Sequence, residues 1–248
     1  QIDFTIPALK NMADFYGNEA FQEEILDNSL VLAFANQPWE KLEPGIYRDG
    51  FGSIWNKKID RDIGVIENVV VTPENVTDFE FPDVENPGVY QNARDLASKQ
   101  PDKMIMYIIG FSLYERAWIL GGMETVLMAM AADPNFVHTL MDRITEYNLT
   151  QIKHACEAGV DAVWFGDDWG QQSGLIMGPK HWREFIKPRL KIMYDAVKAY
   201  DKKVFIHCCG KVDEILPDFI ELGIDLFNPF QPEVTDVYQV KKQFGKEI

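Results

Sequence analysis

The sequence predicts an α/β fold, a (β/α)8 TIM barrel that stops after about strand six. Three observations predict it. Short apolar runs at residues 1–6, 29–36, 104–111, 161–166, 204–209 and 225–229 alternate with amphipathic helical stretches, the pattern of a parallel sheet with crossover helices. The run MIMYIIGF at 104–111 is continuously apolar, as a strand buried on both faces must be. The first strand leads into Pro7-Ala8-Leu9 instead of the Gly-rich phosphate turn of an open doubly wound sheet. Six strands alone would leave an unpaired edge. The last two are therefore expected beyond Ile248, and residues 1–248 read as one barrel domain incomplete at both ends.

Each element has a local reason. QIDFTI at 1–6 alternates like a strand, residues 12–26 read as a helix, and SLVLAFAN at 29–36 is a second strand. Asp-Gly and Gly signals among β-branched runs predict a β-hairpin insertion at 47–72, and the acidic, Pro-rich stretch 78–87 reads as a surface loop. Residues 113–130 read as a helix despite Gly121-Gly122. Asp133-Pro134 starts a long helix to about Glu157, with Asp133 as N-cap and Pro in the first turn, and Gly159 stops it. Further helices are expected at 179–199, with Pro188 inside, at 212–222, stopped by Gly223, and at 234–244.

Composition narrows the function. The chain of 248 residues is 46% hydrophobic and 12% aromatic, enough for a packed core. A net charge of −15 argues against nucleic acid and against anionic membrane surfaces, since both need basic patches. The apolar runs are too short and too often broken by charge to span a bilayer. Three cysteines, two of them adjacent, make no disulfide framework, which predicts a reducing cytoplasm. No GxxxxGK[ST], HExxH or GxSxG is present.

The chemistry-bearing residues gather at strand ends, where barrel active sites form. The run Lys203-Val204-Phe205-Ile206-His207-Cys208-Cys209-Gly210 ends a strand in an imidazole and a thiol. Alternation puts His207 and Cys209 on one face and Cys208 on the other. This is half of a tetrahedral zinc site, or else a set of buried strand residues. The strand at 161–166 leads into Asp167-Asp168-Trp169-Gly170-Gln171. Asp167 shares the parity of Val163 and Phe165, and is expected in the interior if they are, with Asp168 turned to the rim. Both aspartates also read as an N-cap and turn pair. Asn36, Tyr114, Asn228 and Gln231 complete the polar rim. Tyr114 reads either as a ligand contact or as a core aromatic with a wet tip.

The segments Trp164-Phe165-Gly166-Asp167-Asp168-Trp169-Gly170, Phe185-Ile186-Lys187-Pro188, Phe205-Ile206-His207-Cys208-Cys209-Gly210 and Gly223-Ile224-Asp225-Leu226-Phe227-Asn228-Pro229 resemble the uroporphyrinogen decarboxylase superfamily. The resemblance covers essentially the whole chain and implies a (β/α)8 barrel. It leaves two enzymatic branches. The decarboxylases carry an arginine motif of the RQAGRY type and an Asp after strand two; here the first strand has no arginine and strand two ends in Asn36. The thiol methyltransferases carry His-x-Cys at the end of strand five plus a later Cys, and His207 and Cys209 match the first two.

The resemblance therefore implies a methyltransferase that moves a methyl group between a methylated corrinoid, supplied by a corrinoid-binding partner protein, and a small thiol or folate acceptor. In that reading zinc is held by His207, Cys209 and a third ligand expected beyond Ile248. Asp167 and Tyr114 are the catalytic candidates, with Asp167 as the acid if the acceptor is a folate. Asn36, Asp168, Gln171, Asn228 and Gln231 bind substrate. A homodimer is compatible with the sequence. The alternatives are a tetrapyrrole carboxy-lyase of the uroporphyrinogen decarboxylase type and a non-catalytic barrel that binds a corrinoid or other ligand.

Overall fold

The computed structural model describes residues 6–21 and 28–247. Helix α1 (Ile6–Tyr16) precedes strand β1 (Leu30–Ala33). Residues 40–66 then form an antiparallel meander of β2 (Glu40–Glu43), β3 (Ile46–Arg48), β4 (Ile54–Asn56) and β5 (Val65–Ile66). Helix α2 (Gln91–Lys99) leads to β6 (Met104–Ile109), followed by α3 (Tyr114–Gly121), α4 (Met123–Ala132) and α5 (Pro134–Glu157). Strand β7 (Ala162–Gly166) is followed by a small ribbon, β8 (Gly170–Gln171) and β9 (Gly174–Leu175). The helix after it comprises α6 (Gly178–His181), a π turn over Trp182–Ile186 and α7 (Lys187–Lys198). Strand β10 (Lys203–His207), α8 (Leu216–Leu222), β11 (Leu226–Asn228) and α9 (Val237–Phe244) complete it.

Strands β1, β6, β7, β10 and β11 pair in that order, all parallel, so spatial order follows chain order as it does in a barrel. Among the described residues β1 and β11 are the sheet's two edges, and a closed eight-stranded barrel is not formed. The strand expected at residues 1–6 lies outside the described residues, apart from Ile6, which opens α1.

Other elements differ from expectation for local reasons. Of the helix expected at 12–26, the first part ends at Tyr16, where Gly17 turns to φ +62°, and residues 22–26 lie outside the described residues. The hairpin expected at 47–72 is four strands, because Leu42-Glu43-Pro44-Gly45 adds a turn upstream. The helix expected at 113–130 is two helices broken at Gly122, which sits at φ +83°. Asp133 caps α5 as expected, accepting from the Phe136 N–H at 3.3 Å. No helix among the described residues is long and apolar enough to cross a membrane.

The sheet's two faces are unlike. Tyr107, Ile109, Val163, Phe165, Val204, Ile206 and Cys208 point to the helices and join the main core. Met106, Ala162 and Phe205 form a smaller cluster on the other face with Leu30, Leu32, Met104 and Trp164. That second face bounds a cavity of about 340 Å³. The register sets Gly166, His207 and Asn228 side by side as its last row. His207 belongs to that row, and Asp168 and Cys209 stand two residues beyond Gly166 and His207.

Candidate metal centre

His207 ends β10 on the second face, and Cys209, two residues on, keeps its parity. Asp168 stands in the same relation to Gly166 on β7. The three groups converge: ligand atoms from Asp168, His207 and Cys209 all lie within 4.8 Å of one another. His207 Nε2 is 3.4 Å from Cys209 Sγ and 3.9 Å from Asp168 Oδ1. The Cys209 backbone N–H donates to Asp168 Oδ1 at 2.7 Å, which fixes the carboxylate across the gap between the strands.

Two glycines allow the strand ends to meet. A Cβ on Gly170 would come within 2.5 Å of the Cys209 carbonyl oxygen, and one on Gly210, at φ +83°, within 2.4 Å of the Gly170 carbonyl carbon. Gln231 braces the same turn, its Oε1 accepting the Gly210 N–H at 3.0 Å.

The structure corrects the expected orientation of Asp167. Asp167 keeps the parity of Val163 and Phe165, but that face is the helix side. There it is buried and accepts N–H bonds from Tyr114 (2.9 Å), Glu115 (2.7 Å) and the Trp169 indole (2.6 Å). It ties the start of α3 to β7 and offers nothing to the cluster. Asp168, expected at the rim, is the third donor. Tyr114 is fully buried in the helix-sheet core, where burial pushes its phenol above the ordinary range. It acts as a core aromatic and does not face the cluster.

The remaining rim residues separate. Asn228 lies in register with His207, with a buried Oδ1 that has no hydrogen-bond partner among the described residues. Asn36 is exposed after β1 and Gln171 is exposed on β8. Cys208 points to the helix side, where its sulfur accepts the Trp169 N–H at 3.2 Å and burial raises its pKa strongly.

Glu115 is the residue that sequence reasoning left out of the site. Burial, then the charges of Asp167 and Asp168, raise its pKa far above the usual carboxylate range. Asp167 is raised by burial too, but its three N–H donors favour its ionised form, so the proton of this pair sits on Glu115. Burial, together with Asp168 and Glu115, pushes the Cys209 thiol up to about 11. The donor set of carboxylate, imidazole and thiol suits zinc.

The comparisons with known proteins agree with this geometry at the level of family. A Chlorobaculum parvum uroporphyrinogen decarboxylase is 29% identical over 68% of this chain and 52% of its own length. The chloroplastic uroporphyrinogen decarboxylase 2 of Arabidopsis thaliana is 23% identical over 92% of this chain and 61% of its own. The chain spans between 21% and 61% of the length of the curated relatives it matches. A solved methyltransferase from Methanosarcina mazei shares the fold at a TM-score of 0.59 and 19% identity, over 72% of this chain and 52% of that one. The model of the family "Uroporphyrinogen decarboxylase (URO-D)" matches residues 58–247, and the chain belongs to that family.

Proposed function

We propose that this protein is a methyltransferase of the uroporphyrinogen decarboxylase family. It would move a methyl group between a methylated corrinoid, carried by a partner protein, and a thiol or folate acceptor. One observation carries the reading: Asp168, His207 and Cys209 present O, N and S donors within 4.8 Å of one another at the ends of two adjacent parallel strands. Three protein ligands with room for a fourth is the composition of a catalytic zinc site. Zinc bound there would keep a thiol acceptor deprotonated near neutral pH. The chain's own residues do the rest. Asp168 is pre-positioned by the Cys209 N–H, so the site needs little rearrangement to receive the metal. Glu115 holds a proton beside the cluster, and takes the acid role first assigned to Asp167 if the acceptor is a folate. Asn228 Oδ1 and Trp164 Nε1, both buried and unpartnered, line the approach from the open face.

The test is metal content and turnover. About one zinc per chain is expected, lost in His207→Ala and Cys209→Ala. Methyl transfer from methylcobalamin to a thiol or to tetrahydrofolate should fall with it. Absence of both zinc and methyl transfer would dismiss the reading.

The names of the curated relatives support a second reading, a decarboxylase acting on a tetrapyrrole. Incubation with uroporphyrinogen separates the two: loss of side-chain carboxylates would favour it over methyl transfer.

A further inference from the structure

A second cavity, of about 290 Å³, opens between the ends of β1 and β6 and shares no lining residue with the metal cluster. Its one charged wall is Arg116. Its side chain is 13% exposed and its Cζ lies over the Phe51 ring, 4.1 Å from the centroid. Its ion-pair partner, Asp49, is met by a single nitrogen at 3.4 Å.

Asp49 is largely satisfied without Arg116. Its oxygens accept from the N–H groups of Phe51 (3.0 Å) and Ser53 (2.9 Å) and from the Trp55 indole (3.0 Å). The guanidinium's other N–H groups have no hydrogen-bond partner among the described residues. A forked cation at this burial ordinarily engages a carboxylate or phosphate through two parallel bonds. Here one arm alone meets a carboxylate, that of Asp49, and the rest of the fork borders a cavity.

The rest of the lining defines what the fork would hold. Phe34, Trp39, Phe51 and Phe111 supply flat apolar walls. Gln37 and Tyr147 bond each other at 3.1 Å across the floor and add polar atoms near the cation. Phe111 takes φ +51°, a backbone state that a bulky side chain adopts only where its surroundings force it, and such strain gathers at ligand sites. One cation beside an existing carboxylate favours a singly charged ligand over a doubly charged one.

We propose that this cavity is a binding pocket for an organic monocarboxylate with a planar or aromatic body, its carboxylate held by the Arg116 fork and its ring among Phe51, Phe111 and Trp39. The proposal concerns binding alone and stands whichever reaction the metal cluster supports.

Phenylacetate is the probe, measured by calorimetry on the whole protein, with phenylacetamide as its neutral counterpart and phenyl phosphate as the dianion. Saturable binding of one phenylacetate per chain is expected. Phenylacetamide and phenyl phosphate should each be weaker by about tenfold or more, the scale of a charge-assisted hydrogen bond. Arg116→Gln should lose phenylacetate to the same extent, with Arg116→Lys intermediate. If Arg116→Gln fails to fold, the unsubstituted protein still decides: its thermal midpoint should rise with phenylacetate and not with phenylacetamide. No saturable binding at millimolar phenylacetate, equal binding of the amide, or undiminished binding by a folded Arg116→Gln would each overturn the proposal.

Discussion

Asp168 and Cys209 are joined across the ends of β7 and β10 by a hydrogen bond of 2.7 Å, from the Cys209 backbone N–H to the Asp168 carboxylate. The bond turns a strand-end aspartate into a fixed neighbour of the thiol and imidazole. It also separates the fates of two adjacent residues. Asp168 belongs to the cluster, whereas Asp167 belongs to the fold.

Substitution should separate them in the same way. Asp168→Asn is expected to weaken zinc binding by at least about tenfold, the scale seen even for groups that only support a metal's ligands, while moving the thermal midpoint little. Asp167→Asn replaces one of the two oxygens that accept three N–H bonds with a donor, leaving at least one buried N–H without an acceptor, and should cost about 1–3 kcal/mol of stability, with zinc stoichiometry intact in the folded fraction. Metal titration and thermal melts of the two variants give the result directly. Reversed outcomes would mean that Asp167 is the ligand.

This pair also marks where the sequence stops being readable. Alternation linked Asp167 with Val163 and Phe165, and the structure keeps that link. It could not say which face looks inward, because strands in this sheet carry apolar residues on both sides: Phe165 and Ile206 toward the helices, Trp164 and Phe205 away from them. The five parallel strands were legible because each is a short apolar run between turn residues. Glycine signals made the later strands of the meander at 40–66 legible as a hairpin, but not β2, which reads EKLE and is exposed throughout, with no apolar period to detect. Glu115 escaped for a different reason. Its pKa shift comes first from burial and then from Asp167 and Asp168, which lie more than 50 residues further along the chain, and no local pattern encodes such a contact.

The glycine crossing behind the cluster can be tested by adding one methyl group. In Gly210→Ala the new Cβ meets the Gly170 backbone at 2.4 Å, with φ at +83°. Backbone cannot yield as a flexible side chain can. A loss of about 2 kcal/mol or more is expected, together with weaker zinc binding, because Cys209 must move with the turn. Chemical denaturation and metal titration on the same preparation give both readings. An unchanged unfolding midpoint would show that the two loops are not held in contact.

Acid stability should depend on Asp218. Burial acts to raise its pKa, but hydrogen bonds and charge from Arg183 (2.8 Å) and Lys187 (2.7 Å) outweigh burial and hold it below the ordinary aspartate range. The folded state therefore releases this proton more readily than the unfolded chain does. The stabilisation is present above the unfolded value of about 3.9 and is lost as pH falls through the lower folded value. Asp218→Asn should cost about 1 kcal/mol at neutral pH, a figure kept small because Arg183 is half exposed. The gap to the unsubstituted protein should narrow in acid. A gap that stays constant down to about pH 2 would rule out this linkage.

Glu115 has the opposite sign. Burial and the neighbouring Asp167 and Asp168 charges raise its folded pKa, so the metal-free folded protein holds a proton that the unfolded chain gives up near about 4.3. Its contribution is complete below that value and is lost as pH rises through the folded one. In the presence of a chelator, the unsubstituted protein should lose stability as pH rises from about 5 to about 9. Glu115→Gln, which stays neutral throughout, should lose less, by about 1 kcal/mol or more at the upper end. Urea unfolding at several pH values measures both slopes. Added zinc should shrink the difference, because a cation beside Asp168 offsets part of the negative charge that holds the proton on Glu115. Parallel slopes for the two proteins would place the proton elsewhere, and Glu115 would then lose its standing as the acid beside the cluster.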